Sequence, residues 1–176
     1  IRDRYEGHVM GVLNVTPDSF YDGGKYKDLN SIVSQAKQML EDGATFIDIG
    51  GASTKPGADV VDEKEEINRV IPAINAIKKY APKAIISIDT TSSIVAEKAV
   101  TSGASIVNDI SAGTFDDRML DVVASLGIPY IAMHLQGTPK TMQINPTYDH
   151  VVDDVFRAME SFRDRAFKQG IKQIII

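Results

Sequence analysis

Short apolar runs alternate along this chain with amphipathic helical stretches, without exception, and few folds accept that pattern. Val9–Leu13, Ala44–Ile49, Ala84–Asp89, Ser105–Asp109, Pro129–His134 and Lys172–Ile176 have no helical period and read as strands. Between the first two, Ile32, Val33, Ala36, Met39 and Leu40 recur at helical spacing and stop at Gly43. Asp62 and Glu65, spaced as a capping box, precede a helix with Ile67, Val70, Ile71, Ile74 and Ile77 along one stripe. Further helices are expected from about Ser92 to Ser102, from Asp116 to Leu126, and through Val152, Val155, Phe156, Met159 and Phe162, which share a face. Strand, helix and strand in this order are commonly joined by right-handed crossovers, so the sheet is expected to be parallel. Gly43, Gly103 and Gly170 each close a helix and lead straight into a strand. One βα module is thus reused, and with no linker in sight residues 1–176 are read as one domain.

Two parallel architectures compete. A doubly wound nucleotide fold usually carries Gly-x-Gly-x-x-Gly after its first strand, and the sequence has none there. An eight-unit barrel takes ~250 residues, whereas this chain offers roughly five full units and a bare strand. That strand, Lys172–Ile176, is apolar and wants helices on its outer face, which favours a (β/α)8 barrel cut short after the sixth strand over a complete open sheet.

Composition removes several function classes. Lys and Arg number 19 against 24 Asp and Glu, a net charge of −5 with no basic block, so nucleic acid is not an expected partner. The absence of cysteine excludes disulfides, thiolate metal sites and a Cys nucleophile. No apolar run approaches the roughly 20 residues that span a bilayer, and a cytoplasmic enzyme or binding protein without a membrane partner is expected. His8, His134 and His150 lack metal-ligand spacing, and Ser19 stands in no nucleophile elbow.

The chemistry concentrates at strand ends, where Asn14, Asp48, Asp89, Asn108 with Asp109, and His134 would meet on one face of a barrel. Asp89 ends a strand of Ile, Ile, Ser and Ile, where a carboxylate is costly unless something donates to it; the plainer alternative is a cap for the following helix. Asn108 and Asp109 point to opposite faces, and Asn108 is preferred for the site because an amide both donates and accepts. Asp48 carries the same ambiguity and is read as structural. Gly50-Gly51-Ala52-Ser53-Thr54 offers backbone N–H groups and two hydroxyls to an anion, or is a plain turn. Asn14 offers a hard oxygen to Mg²⁺ already held by phosphates, or simply forms a turn.

In order and in spacing, Leu13-Asn14-Val15-Thr16-Pro17-Asp18-Ser19-Phe20, Asp48-Ile49-Gly50-Gly51-Ala52-Ser53-Thr54-Lys55-Pro56-Gly57, Ile88-Asp89, Val107-Asn108-Asp109 and the segment from Met133 to Gln143 resemble dihydropteroate synthase, over the N-terminal two thirds of that family's chain. Lys55 stands where the family usually has Arg, keeping charge without the planar fork, and Ala52 stands where Glu is commoner. The resemblance implies a (β/α)8 barrel of the pterin-binding type that joins 6-hydroxymethyl-7,8-dihydropterin pyrophosphate to 4-aminobenzoate and releases pyrophosphate, a step of folate synthesis and the target of sulfonamides. It implies that Asp89 and Asn108 hold the pterin, with Met133 lining its slot. It assigns Thr54, Ser53, Lys55 and Asn14 to the pyrophosphate and its Mg²⁺, and Phe20 and Pro56 to the border of the aminobenzoate pocket. A homodimer is implied for the full-length protein. Two other functions fit fewer residues: a methyltetrahydrofolate-binding methyltransferase module, which has no pyrophosphate to bind, and a non-catalytic pterin-binding paralogue.

Overall fold

The computed structural model describes residues 7–15, 25–52 and 61–176. In chain order these form β1 (Met10–Asn14), α1 (Lys25–Glu41), β2 (Phe46–Gly50), α2 (Glu63–Tyr80), β3 (Ile85–Asp89), α3 (Ser93–Thr101), β4 (Ile106–Asp109), α4 (Met119–Leu126), β5 (Tyr130–Ala132), α5 (Val151–Gln169) and β6 (Ile174–Ile175). The strands form one six-stranded parallel sheet in sequential order, with β1 and β6 as its edges. Each crossover carries a helix, as the alternation predicts, because a parallel neighbour can be reached only by returning over a face of the sheet.

Side-chain alternation divides the sheet into an apolar and a polar face. Leu13, Ile47, Ile49, Ile86, Ile88, Val107 and Tyr130 are all sealed from solvent beneath Ile32, Ala36, Val70, Ile74, Ile77, Val95, Ala99, Met119 and Phe162 of the helices. Burying each of the larger side chains contributes about 1.5–3 kcal/mol, and this layer fixes the register by forbidding a one-residue slip. Tyr130 and Phe162 stack with ring centroids 5.6 Å apart, locking α5 to β5. On the other face, register places Asn14, Gly50, Asp89, Asn108 and Ile131 in one row and Val12, Asp48, Ser87 and Ile106 in the row beneath.

Several boundaries depart from the sequence reading. β5 stops at Ala132 rather than His134, since β4 ends at Asp109, the partner of Ala132, and β6 pairs only Tyr130 and Ile131. α4 starts at Met119 rather than Asp116, whose carboxylate accepts from Arg118 N at 2.9 Å in the turn before the helix and from Ser93 N at 2.7 Å at the start of α3. The capping box at α2 does not form: Asp62 is the N-cap residue but its side chain makes no cap bond, and Glu65 instead accepts from Arg69 Nε at 3.0 Å. β1 is less buried than an apolar run suggests, with Val12 57% exposed on the polar face of an edge strand. The apolar stripe of α5 splits: Met159, Phe162 and Ala166 enter the core, whereas Val152 and Phe156 do not. The glycine stops hold, with Gly43, Gly103 and Gly170 at φ of 103°, 116° and 100°, and Gly127 at 67° adds a fourth.

Candidate active site

Three strands bring the polar residues together. Asp89 terminates β3 beside Gly50 on one side and Asn108 on the other. The cap role is taken by others: Ser92 Oγ accepts from Val95 N at 3.3 Å and Asp116 from Ser93 N, so α3 makes no demand on Asp89. Its Oδ1 is buried with no hydrogen-bond partner among the described residues. Burial pushes the Asp89 carboxyl up to about 7, and the charges of Asp48, Glu66 and Asp109 add to the effect.

Asn108 and Asp109 separate as pleating requires. Asn108 faces the polar side and donates from Nδ2 to Asp48 Oδ2 at 3.0 Å, over the top of β3. Asp109 faces the helices, where it accepts from Ser111 N at 2.7 Å, from Gly113 N at 3.0 Å and from the Tyr130 hydroxyl. These bonds tie down the turn after β4, in which Ala112 adopts φ 51°. Asp48, read from the sequence as structural, lies on the polar face, bonded to Asn108, and its buried Oδ1 has no hydrogen-bond partner among the described residues. Burial raises its pKa, tempered by the Ser87 hydroxyl and the Asn108 amide. The signal that could have found it is parity: Asp48 stands two residues before Gly50, hence on the same face as the Asn14–Gly50–Asp89 row.

Gly50 leaves that row open. A Cβ there would stand 3.3 Å from Asn14 Oδ1 and 3.5 Å from Asp89 Oδ2, so only bare backbone separates the two side chains. Beneath Gly51, Arg69 Nη1 donates to the Gly51 carbonyl at 2.8 Å and holds the end of β2. Buried Glu66 packs against the same glycine, and burial raises its pKa, partly offset by the Thr90 hydroxyl.

Of the other sequence candidates, Asn14 is exposed at the end of β1, and Met133 follows β5 with 41% exposure. Phe20, Ser53, Thr54, Lys55 and Pro56 lie outside the described residues. His134 bonds the Tyr148 hydroxyl at 3.2 Å. Among the described residues no group of three or more His, Asp or Glu is placed to hold a metal ion, and no helix is long and apolar enough to cross a membrane. What the polar rows offer is two carboxylates, each with a buried oxygen that has no partner among the described residues, beside an amide. That arrangement suits a flat ligand whose edge presents N–H groups, because an unpaired buried acceptor is costly until a donor arrives.

Known proteins resemble this chain over most of its length. Residues 10–176 match the family model described as Pterin binding enzyme. The chain is 41% identical over 165 residues to dihydropteroate synthase of Haemophilus influenzae, covering 94% of this chain and 59% of that one. It superimposes with a TM-score of 0.87 on the Clostridium difficile dihydropteroate synthase solved in the presence of pteroic acid, at 36% identity, covering 95% of this chain and 62% of that one. The Xanthomonas albilineans dihydropteroate synthase solved with 4-aminobenzoic acid gives 0.85 at 38% identity, over 95% of this chain and 59% of that one. The open six-stranded sheet is therefore part of a TIM-barrel architecture, and the chain spans about three fifths of the length of these relatives. With a matching family model over nearly its whole length, this chain belongs to the pterin-binding enzymes.

Proposed function

We propose that this chain carries the pterin side of a dihydropteroate synthase active site. The observation that carries the reading is Asp89, a carboxylate at a strand end whose buried Oδ1 has no partner among the described residues and which is flanked by Gly50 and Asn108. Such a group destabilises the fold and is retained where a ligand satisfies it. The amino and ring N–H groups of a pterin are donors of the required kind, and the relatives solved with pteroic acid and 4-aminobenzoic acid support both substrates.

In the reaction, the aminobenzoate nitrogen forms a bond to the pterin methylene carbon, the carbon–oxygen bond to pyrophosphate breaks with its electron pair leaving on oxygen, and the amine gives up one proton. No strong nucleophile is needed. The chain's part is to orient the pterin through Asp89 and Asn108, to keep negative charge near the ring as its methylene becomes cationic, and to receive the anion. Met133 lines the pterin slot. Ser53, Thr54 and Lys55 take the pyrophosphate, and Phe20 and Pro56 border the aminobenzoate. Asn14 is the proposed Mg²⁺ contact, since an exposed amide oxygen beside a phosphate site suits an ion that keeps most of its waters. Bound there, the ion would neutralise charge on the departing pyrophosphate. A homodimer and a cytoplasmic location belong to the same proposal, to be read by light scattering and by cell fractionation.

Titrating the intact protein with pyrophosphate, with and without Mg²⁺, and then with the dihydropterin and aminobenzoate while following dihydropteroate, tests the reading. Mg²⁺-dependent pyrophosphate binding and product formation are expected. Pterin binding with no affinity for pyrophosphate would turn the assignment toward the methyltetrahydrofolate-type module, and no pterin binding at all would remove it.

A further inference from the structure

The Asp48–Asn108 bond links β2 to β4 across the intervening β3, and the sheet has no evident need of it. Asp48 is buried, and its Oδ1 has no hydrogen-bond partner among the described residues. An apolar residue there would serve the core better, because a buried carboxylate with an unpaired oxygen is among the costlier things a fold can hold. What the bond does achieve is orientation. Asn108 Nδ2 donates to Asp48 Oδ2, so the NH₂ end of the amide faces Asp48 and Oδ1 faces the other way. Without Asp48 the amide could turn over and present a donor instead.

We propose that Asp48 is a positioning residue that fixes Asn108 as a hydrogen-bond acceptor, so that the site selects a ligand edge carrying an N–H rather than a ring-nitrogen lone pair opposite β4. The inference rests on the pterin reading above and deepens it: Asp48 acts on the ligand through Asn108. Asp89 stands in register with Asn108, so the ligand edge between them meets a carboxyl group on one side and an oriented carbonyl on the other.

The test is calorimetric binding of 6-hydroxymethylpterin to the intact protein, each variant first checked for a cooperative melt. Asp48→Ala should weaken binding about tenfold, the scale of one lost hydrogen bond in a desolvated site. In an Asn108→Ala background the same change should cost nothing further, whereas a role in general packing would cost as much there as in the wild type. Should Asp48→Ala fail to fold, a second pair decides. Asn108→Asp sets two carboxylates against each other and should weaken binding, and adding Asp48→Asn to it should restore most of the loss, because the exchanged pair still turns an acceptor toward the ligand. Wild-type affinity in Asp48→Ala, equal losses in both backgrounds, or an exchanged pair no better than Asn108→Asp alone would overturn the inference while leaving the pterin site intact. A wild-type protein that does not bind pterin would remove the functional reading and this inference with it.

Discussion

The Tyr130 hydroxyl donates to Asp109 Oδ2 at 2.5 Å with both side chains sealed from solvent, on the face of the sheet opposite Asn108. Two adjacent residues of β4 therefore do unrelated work. Asp109 organises the turn behind the sheet, and Asn108 is left for the front. Burial, followed by the charge of Asp109, holds the Tyr130 hydroxyl protonated far above the ordinary phenol range, so it keeps the proton it donates to Asp109.

Tyr130→Phe should consequently lower stability by about 1.5–3 kcal/mol, the range for a hydrogen bond to a charged group left partly unsatisfied. Ring packing against Phe162 is preserved, so the loss isolates the hydroxyl. Urea unfolding reads it, and an unchanged midpoint would mean that Ser111 N and Gly113 N satisfy Asp109 by themselves.

Asp89 should make stability fall with rising pH. Its folded pKa is about 7 against 3.8 for the unperturbed group, so between those values the unfolded chain releases the proton while the folded chain keeps it. Stability is therefore lost progressively as pH climbs through that window and levels off above it. Asp89→Asn removes the effect. At pH ~8 the variant should exceed the wild type by a few kcal/mol, since each tenfold difference in proton affinity between the folded and unfolded chain is worth on the order of 1.4 kcal/mol, and the gap should close toward pH ~4. Asp89→Ala should weaken pterin binding by roughly 2–4 kcal/mol, so that stability and function move in opposite directions. Parallel unfolding curves for wild type and Asp89→Asn across that pH range would show that the carboxylate is not held neutral.

Gly50 and Gly51 should respond differently to the same change. Gly50→Ala places its methyl 3.3 Å from Asn14 Oδ1 and 3.5 Å from Asp89 Oδ2, groups that can yield by tenths of an ångström. The fold should tolerate it within ~1 kcal/mol, while the ligand row is obstructed and pterin affinity drops. Gly51→Ala would meet Val70 Cγ1 at 2.7 Å and the Glu66 backbone at 3.2 Å, in the core, and should destabilise by about 1–3 kcal/mol. Thermal melts and pterin titrations on the pair check the contrast, which a Gly51 variant as stable as the Gly50 one would contradict.

The order of elements was legible because each strand and helix carries its own period, and because three helix stops are glycines. The choice of Asn108 over Asp109 rested on chemistry, and the structure separates the two as pleating demands, with only Asp109 turned toward the helices. Asp48 was legible only in part: strand parity sets it on the same face as Gly50, but which parity faces the helices is settled by the whole apolar layer at once. The extent of β5 was hidden for a related reason, since a strand ends where its neighbour ends. Asp62 and Glu65 show the limit of spacing rules, because Arg69 competes for Glu65 from one turn away. Phe20, Ser53, Thr54, Lys55 and Pro56, the part of the sequence reading aimed at the anion and the aromatic amine, fall outside the described residues.

The sheet edges give the last prediction. β1 shows Val12 and β6 leads to Ile176, which is 67% exposed. Beside Ile176, the unburied stripe of α5, with Val152 77% and Phe156 64% exposed, lines a groove of about 590 Å³ together with Val151, Val155 and Met159. Unpaired parallel strands next to an apolar helix face offer both backbone hydrogen bonds and hydrophobic area to any other chain. Expressed as these 176 residues alone, the polypeptide should therefore self-associate, and size exclusion with light scattering should show species well above 19.2 kDa. Placing Lys at Val12 and Ile175 and Glu at Phe156 should shift the distribution toward the monomer, because charge on an edge strand or on an exposed apolar patch blocks the same contacts. A monodisperse 19.2 kDa wild-type polypeptide would show that these surfaces are not sticky as they stand. Association unchanged by the charged variants would place its origin elsewhere on the chain.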